Sequence, residues 1–535
     1  KSIHSMKNTF LFLTTLLLLS CGGSKTDSTI KTAEAPVKVV PAPDLSKKYA
    51  QTITAEELKE MLYTYASDEF EGRDTGEPGQ KLAVNFLKDQ YMNMGVASPL
   101  GNNDYFQEVP LQKLMMPTIK VTAQGKVYDQ LQDVISLRGA EPELITTDQI
   151  VYAGYGIDDE NYSDYKNIEV KNKVVLVKYG EPTNADGSFV TSGQKESTKW
   201  SSGRQAMSSK RNAAMERGAK ALLILSEKDY HERLVSYYQR LKERGGFGNI
   251  SLDTQDEDNF MHLSVSEDLA KSLYPDILTN SEPKVIDRLV SIDYYSEKEE
   301  VDSENVVAFI KGSEYPNEVL VISSHLDHVG IEDGQIYNGA DDDGSGTIAI
   351  VEIAEAFQQA VKDGFEPKRS ILFLHVTAEE KGLLGSRYYT DQNPVFPLEN
   401  TVANLNIDMI GRTDPKREGN RNYVYLIGSD RLSQELHNLS EEVNKDYANI
   451  ELDYKYNDEN DPNRFYYRSD HYNFAKNNIP VIFYFNGTHD DYHQPSDTPD
   501  KIEYDLLENR ARLIFHTAWE IANRDKRLIV DKEIE

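Results

Sequence analysis

The chain predicts an α/β fold in which a mainly parallel, twisted sheet is covered by helices on both faces and interrupted by an inserted β-rich domain. Two observations carry that expectation. From Asn305 onward, apolar runs of strand length alternate with longer amphipathic stretches, the pattern of a parallel sheet buried on both sides. Between about Leu111 and Ser296 strand-like runs dominate instead, with one helix near Lys210 to Arg217.

Taken in order, the chain starts with a segment that reads as export machinery. Met6-Lys7-Asn8 precedes a nearly wholly apolar run from Phe10 to Leu19, too short to span a bilayer core of about 30 Å. The run ends Leu18-Leu19-Ser20-Cys21-Gly22, which resembles a bacterial lipoprotein signal with Cys21 as the lipidated residue. Residues 1–21 are therefore expected to be a signal peptide, with Lys1 to Ser5 as extra sequence before its start. Residues 22–45, with Pro36, Pro41 and Pro43 among small and polar residues, read as a tether. The expectation is an exported protein, lipid-anchored to a bacterial cell membrane on the periplasmic or outer-surface side.

Helical patterns follow at Glu56 to Leu62 and Lys81 to Met94, separated by a glycine-rich loop. Strands are expected at Ile150–Tyr152, Val174–Val177 and Ala221–Leu225. In the alternating region they are expected at Val319–Ser323, Ser370–Val376, Ala403–Ile407, Tyr423–Ile427 and Ile479–Phe485, with a helix over Thr347–Val361. The expected division is 46–110 with 297–535 as one domain and 111–296 as the insert.

Composition excludes several functions. The net charge of −31 argues against binding nucleic acid through its phosphates, which needs clustered Lys and Arg. The single cysteine, Cys21, rules out an intrachain disulfide and a thiolate metal site. Any metal must be held by His, Asp and Glu.

Five short clusters concentrate those residue types, most of them just after an expected strand, where α/β sheets build their sites. In Ser324-His325-Leu326-Asp327-His328, His325 and Asp327 share a face of an extended chain, so Asp327 is suited to fix the second nitrogen of a metal-bound His325. By itself the triplet is better read as a surface pair. Gly339-Ala340-Asp341-Asp342-Asp343-Gly344-Ser345-Gly346 places three adjacent carboxylates before a helix; capping explains one of them, and repulsion among three calls for cations or solvent. Thr377-Ala378-Glu379-Glu380 offers paired acids on a loop, one to bind and one to move protons, or simply an acidic turn. Asn406-Ile407-Asp408 ends an apolar strand in an acid, which needs a cation or donors. Asp491-Tyr492-His493-Gln494-Pro495 sets a late histidine in a turn. Together they supply two imidazoles and three carboxylates, oxygen and nitrogen ligation suited to zinc and sufficient for two ions sharing one carboxylate.

In this order the clusters resemble the co-catalytic di-zinc exopeptidases of peptidase family M28, from about Leu58 to Ile502. The family includes leucyl-type aminopeptidases and glutamate carboxypeptidases. Val151 to Ile157, Lys173 to Val177 and Arg217 to Ala221 resemble the protease-associated domain often inserted into exopeptidases. The resemblance implies the zinc exopeptidase fold and two Zn2+, with cobalt or manganese also compatible with the ligands. It implies Asp342 as the bridging ligand, His325 and Asp408 completing one site, and Glu380 and His493 the other. Glu379 would be the general base that takes a proton from a metal-bridging water and returns it to the leaving amine. Tyr467 would hydrogen-bond the oxyanion. The implied activity is removal of N-terminal residues from peptides. A carboxypeptidase or dipeptidase, a one-zinc glutaminyl cyclase and a non-catalytic receptor-like relative are the alternatives. Oligomeric state is not legible.

Overall fold

Strand Tyr315–His325 alternates its side chains between two apolar layers: Leu320 and Ile322 enter one core, Val319 and Val321 another. Neighbouring strand Arg369–Val376 does the same, with Ile371 and Phe373 against Leu372 and Leu374. A strand apolar at every position must be covered on both faces, and here it is. The structure, a computed structural model, describes residues 44–533 except 137–139, 141, 244–248 and 254–259. The expected signal peptide, Cys21 and nearly all of the expected tether lie outside the described residues. Among the described residues no helix is long and apolar enough to cross a membrane.

The sheet has eight strands. From one edge they are Phe106–Glu108, Glu304–Ile310, Arg369–Val376, Tyr315–His325, Thr401–Ile407, Val481–Phe485, Tyr423–Ile427 and Glu451–Asp453. The central four run parallel, so their carboxyl ends share one rim. Glu304–Ile310 and Tyr423–Ile427 flank them antiparallel. Helices Gly346–Lys362, Tyr504–Asn523, Ala55–Tyr65 and Pro78–Met94 pack on one face, and Leu384–Asp391 and His471–Ala475 on the other. Burial of each Leu, Ile or Phe here is worth about 1.5–3 kcal/mol.

Residues 118–295 build a second eight-stranded sheet with its own cores. Its strands Glu143–Tyr152, Val174–Lys178, Ala221–Leu225 and Met261–Val265 are parallel, and the remaining pairings are antiparallel. The region is less purely β than the sequence suggests. Besides Gly203–Glu216 it contains helices Lys228–Glu243 and Glu267–Leu273. Lys228–Glu243 carries apolar residues at helical spacing, Tyr230, Leu234, Tyr238 and Leu241, but they are only half-buried and His231 is its one fully buried side chain among those described. Both sheets belong to one compact unit, Leu45–Glu535. A three-stranded sheet joins them: Leu111–Leu114 pairs on one side with Lys298–Val301 and on the other with Asn249–Leu252.

Candidate functional site

Each parallel strand delivers an imidazole or one or two acids to the common rim. Tyr315–His325 ends in His325, and Glu379 and Glu380 follow Arg369–Val376. Asp408 follows Thr401–Ile407, and His493 lies in the turn after Val481–Phe485. Asp342 comes from the irregular turn before helix Gly346–Lys362.

These residues converge in two groups that share Asp342. In the first, His325 Nε2 lies 3.2 Å from Asp342 Oδ1 and 3.7 Å from Asp408 Oδ1. In the second, His493 Nε2 lies 3.0 Å from both Asp342 Oδ2 and Glu380 Oε1. The sequence reading missed a sixth member, His328, whose Nδ1 is 3.1 Å from Glu380 Oε1 and 3.7 Å from Asp342 Oδ2. Within each group all donor atoms lie within 4.8 Å of one another. Four nitrogen and oxygen ligands around a zinc ion at about 2.0–2.2 Å stand about 3.3–3.6 Å apart, which matches this spacing. His325 Nε2, His328 Nδ1, Asp342 Oδ2, Glu380 Oε1 and His493 Nε2 are buried without a hydrogen-bond partner. Such atoms are costly unless a ligand satisfies them, so the donor set fits divalent metal.

The three adjacent aspartates divide their labour. Asp343 turns inward and accepts from the backbone N–H groups of Met409 and Gly346, each at 3.0 Å. Asp341 accepts from Gly411 N–H at 2.7 Å and faces His489 Nε2 at 3.1 Å. Asp342 alone points its two oxygens at the two groups. Its backbone N–H is held by Asp497 at 3.2 Å. Gly339 makes the close packing possible: at φ +54° it would set a Cβ 2.3 Å from Asp342 O and 2.5 Å from the His328 ring.

The support expected from Asp327 is present, but it comes from the backbone rather than the side chain. His325 Nδ1 donates to the backbone carbonyl of Asp327 at 3.0 Å, not to its carboxylate. That bond still leaves Nε2 free to ligate. The Asp327 carboxylate instead accepts from Thr75 Oγ1 and from Glu379 N–H, each at 3.0 Å, and so holds the Glu379 loop.

Electrostatics bind the cluster together without metal. Burial opposes protonation of His325, yet the carboxylates of Glu379, Asp342 and Asp408 outweigh it and hold the imidazole well above its ordinary range. Burial also works against the charge on His493, but Asp342 and Glu380 carry it up to about 10. Burial and Asp342 push Glu380 upward, but His328 and His493 bring it down to about 2. Burial drives Glu379 well above the usual carboxylate range. His325 and His493 thus act as counter-cations, a role that bound metal would take over with release of their protons.

Glu379, Asp342, Glu380 and Asp408 line a pocket whose other walls include Met409, Phe483 and Tyr492. Tyr467 is not among the residues that line it. It is 40% exposed and packs edge-on against Tyr466 and Tyr472. The pocket's tyrosine is Tyr492, whose ring stacks on His493 at 4.0 Å.

Residues 305–518 match the model of Peptidase family M28. A probable leucine aminopeptidase 2 of Aspergillus oryzae is 34% identical over 210 residues, 37% of this chain and 37% of that protein. Leupeptin-inactivating enzyme 1 of Streptomyces exfoliatus is 33% identical over 183 residues, 34% of this chain and 36% of that protein. A probable glutamate carboxypeptidase of Arabidopsis thaliana is 32% identical over 120 residues, 22% of this chain and 17% of that protein. The matches thus span little more than a third of these relatives' lengths at most. Among solved structures, an aminopeptidase from an Aneurinibacillus species aligns over 91% of this chain and 98% of its own, with 18% identity and a TM-score of 0.48. The stretch that matches peptidase family M28, residues 305–518, contains all six clustered residues together with Glu379.

Proposed function

We propose that the chain is a zinc-dependent exopeptidase that removes N-terminal residues from peptides. The observation that carries this reading is the pair of donor groups sharing Asp342, with buried atoms left without hydrogen-bond partners. The leucine aminopeptidase among its relatives favours the amino end. His325, Asp342 and Asp408 would hold one ion, and His328, Asp342, Glu380 and His493 the other. Bound zinc would supply Lewis acidity, polarising the scissile carbonyl and bringing the pKa of water towards about 7.

The chain's own groups do the rest. Glu379, adjacent to ligand Glu380 and facing the same pocket, takes the proton of the attacking water and delivers it to the leaving amine. Tyr492, held by its stack on His493, presents its hydroxyl to the carbonyl oxygen as negative charge develops there. The second sheet is read as a protease-associated domain and Cys21 as a lipid attachment site, both on sequence resemblance.

Glu379→Gln tests the mechanism. Metal content should stay at the wild-type level while turnover of free-amine peptides falls at least about a hundredfold. Turnover close to wild type removes Glu379 from the mechanism. Cleavage of N-blocked peptides as fast as free-amine ones, each compared with and without chelator, removes the aminopeptidase reading.

A further inference from the structure

The pocket is charged unevenly. Four carboxylates line it, Asp342, Glu379, Glu380 and Asp408, and among the described residues lining it Arg468 is the one cation. Arg468 makes no ion pair with any of these carboxylates. Its guanidinium lies 5.0 Å from the centre of the Phe465 ring and donates to the Tyr492 hydroxyl at 3.5 Å. In a chain of net charge −31, no carboxylate among the described residues pairs with it. Arg412, bonded to Asp491 at 3.1 Å, shows how the fold neutralises a neighbouring arginine.

Two divalent cations carry as much charge as the four lining carboxylates, so a loaded pocket is balanced except for Arg468. A guanidinium is charged at every working pH, and its planar fork suits a carboxylate held by two parallel bonds. Packed on the Phe465 ring and in no ion pair with a carboxylate of the described residues, it is poised to take an anion. Tyr492 links it to His493, since its hydroxyl accepts from Arg468 and its ring stacks on the imidazole.

The geometry points to Arg468 as the group that receives a carboxylate of the substrate within about one residue of the bond cleaved. The inference rests on the exopeptidase reading above and deepens it by naming a substrate class: peptides with an acidic first residue, or dipeptides whose C-terminal carboxylate falls in reach. The chemistry is the same in both cases, and paired substrates separate them.

The test uses the zinc-loaded full chain and two matched pairs. Glutamyl and glutaminyl p-nitroanilide differ in the side-chain charge; Leu-Gly and Leu-Gly-amide differ in the terminal charge. In the wild type, kcat/KM should favour the charged member of at least one pair by about tenfold or more, and that pair identifies the source. Arg468→Ala should bring the ratio near one, and Arg468→Lys should retain part of it. If Arg468 only positions Tyr492, both members of a pair fall together and the ratio survives, which overturns the inference. A wild type with no preference in either pair overturns it as well. Calorimetry gives a readout without turnover: on the zinc-loaded Glu379→Gln chain, glutamate should bind about tenfold tighter than glutamine, or Leu-Gly than its amide. That difference should vanish when Arg468→Ala is added. A wild type that cleaves no peptide but shows this Arg468-dependent binding refutes the exopeptidase reading alone; equal binding within both pairs refutes the carboxylate role.

Discussion

Asp342 is flanked by two residues of its own kind, yet it alone faces the pocket, because backbone N–H groups claim its neighbours. Composition could not show that division; neighbours fixed by tertiary structure make it. His328 is the complementary case. Read with a strand's two-residue period, it falls on the opposite side from His325, but the strand ends at His325 and the chain turns. If His328 is a ligand, His328→Ala should weaken the second metal by no less than the about 10- to 100-fold typical of supporting residues, leaving the His325 group loaded. Metal titration of wild type and variant checks this, and two equally tight sites in the variant would remove His328 from the set. Away from the site, Glu352 is 2% exposed, and burial together with Glu57 pushes its carboxyl up to about 8. The folded state therefore holds a proton that the unfolded chain releases near its ordinary pKa of 4.5. This contribution to stability is complete below about pH 4.5 and is lost as pH rises towards about 8. Glu352→Gln should raise the melting temperature at pH 8, by a stabilisation of a few kcal/mol, and have little effect at pH 4.5. Melting curves across that range measure it.

At the scale of elements, the loop bearing Glu379 and Glu380 is braced by the insert. Ala378 has a left-handed φ of +54°, a conformation that costs about 1–3 kcal/mol unless its surroundings impose it. It is buried in a small cluster with Val109, Leu111, Leu252 and Leu384. Leu252 comes from Asn249–Leu252, a strand lent by the second-sheet region. Leu252→Ala should cost about 2–5 kcal/mol and lower kcat with metal content unchanged, and Leu252→Ile should recover most of both. An unaltered kcat would show that this strand stabilises without positioning the loop. Elements of this kind differ in how readily sequence shows them. Tyr423–Ile427 and Ala221–Leu225 are bounded in the structure as expected, because five consecutive apolar residues between polar ones leave little choice. Asn249–Leu252 shows no such run, and its partner strand lies more than a hundred residues away.

Across the whole molecule, the chain leaves and re-enters the first sheet's region at one place, where Met115 N–H bonds Glu297 O at 3.0 Å. Residues 117–295 can therefore be excised and the ends joined by a short glycine linker. The shortened chain should retain the six clustered residues and bind metal, but turn over peptide more slowly and melt lower, since Val109, Leu111 and Leu384 lose Leu252 as cover. Full activity in the shortened chain would remove the insert from any role in holding the Glu379 loop. The sequence by itself determined the alternating α/β scaffold and five of the six residues that cluster at its rim, because a buried strand needs an unbroken apolar run and an acid or histidine at its end stands out against it. Tertiary structure alone decided that His328 joins the cluster, that Tyr492 rather than Tyr467 lines the pocket, that the Asp327 carboxylate holds a loop while its backbone carbonyl holds the His325 ring, and that a distant strand braces Ala378. Each of these depends on side chains far apart along the chain meeting at one rim, and local periodicity carries no information about such meetings.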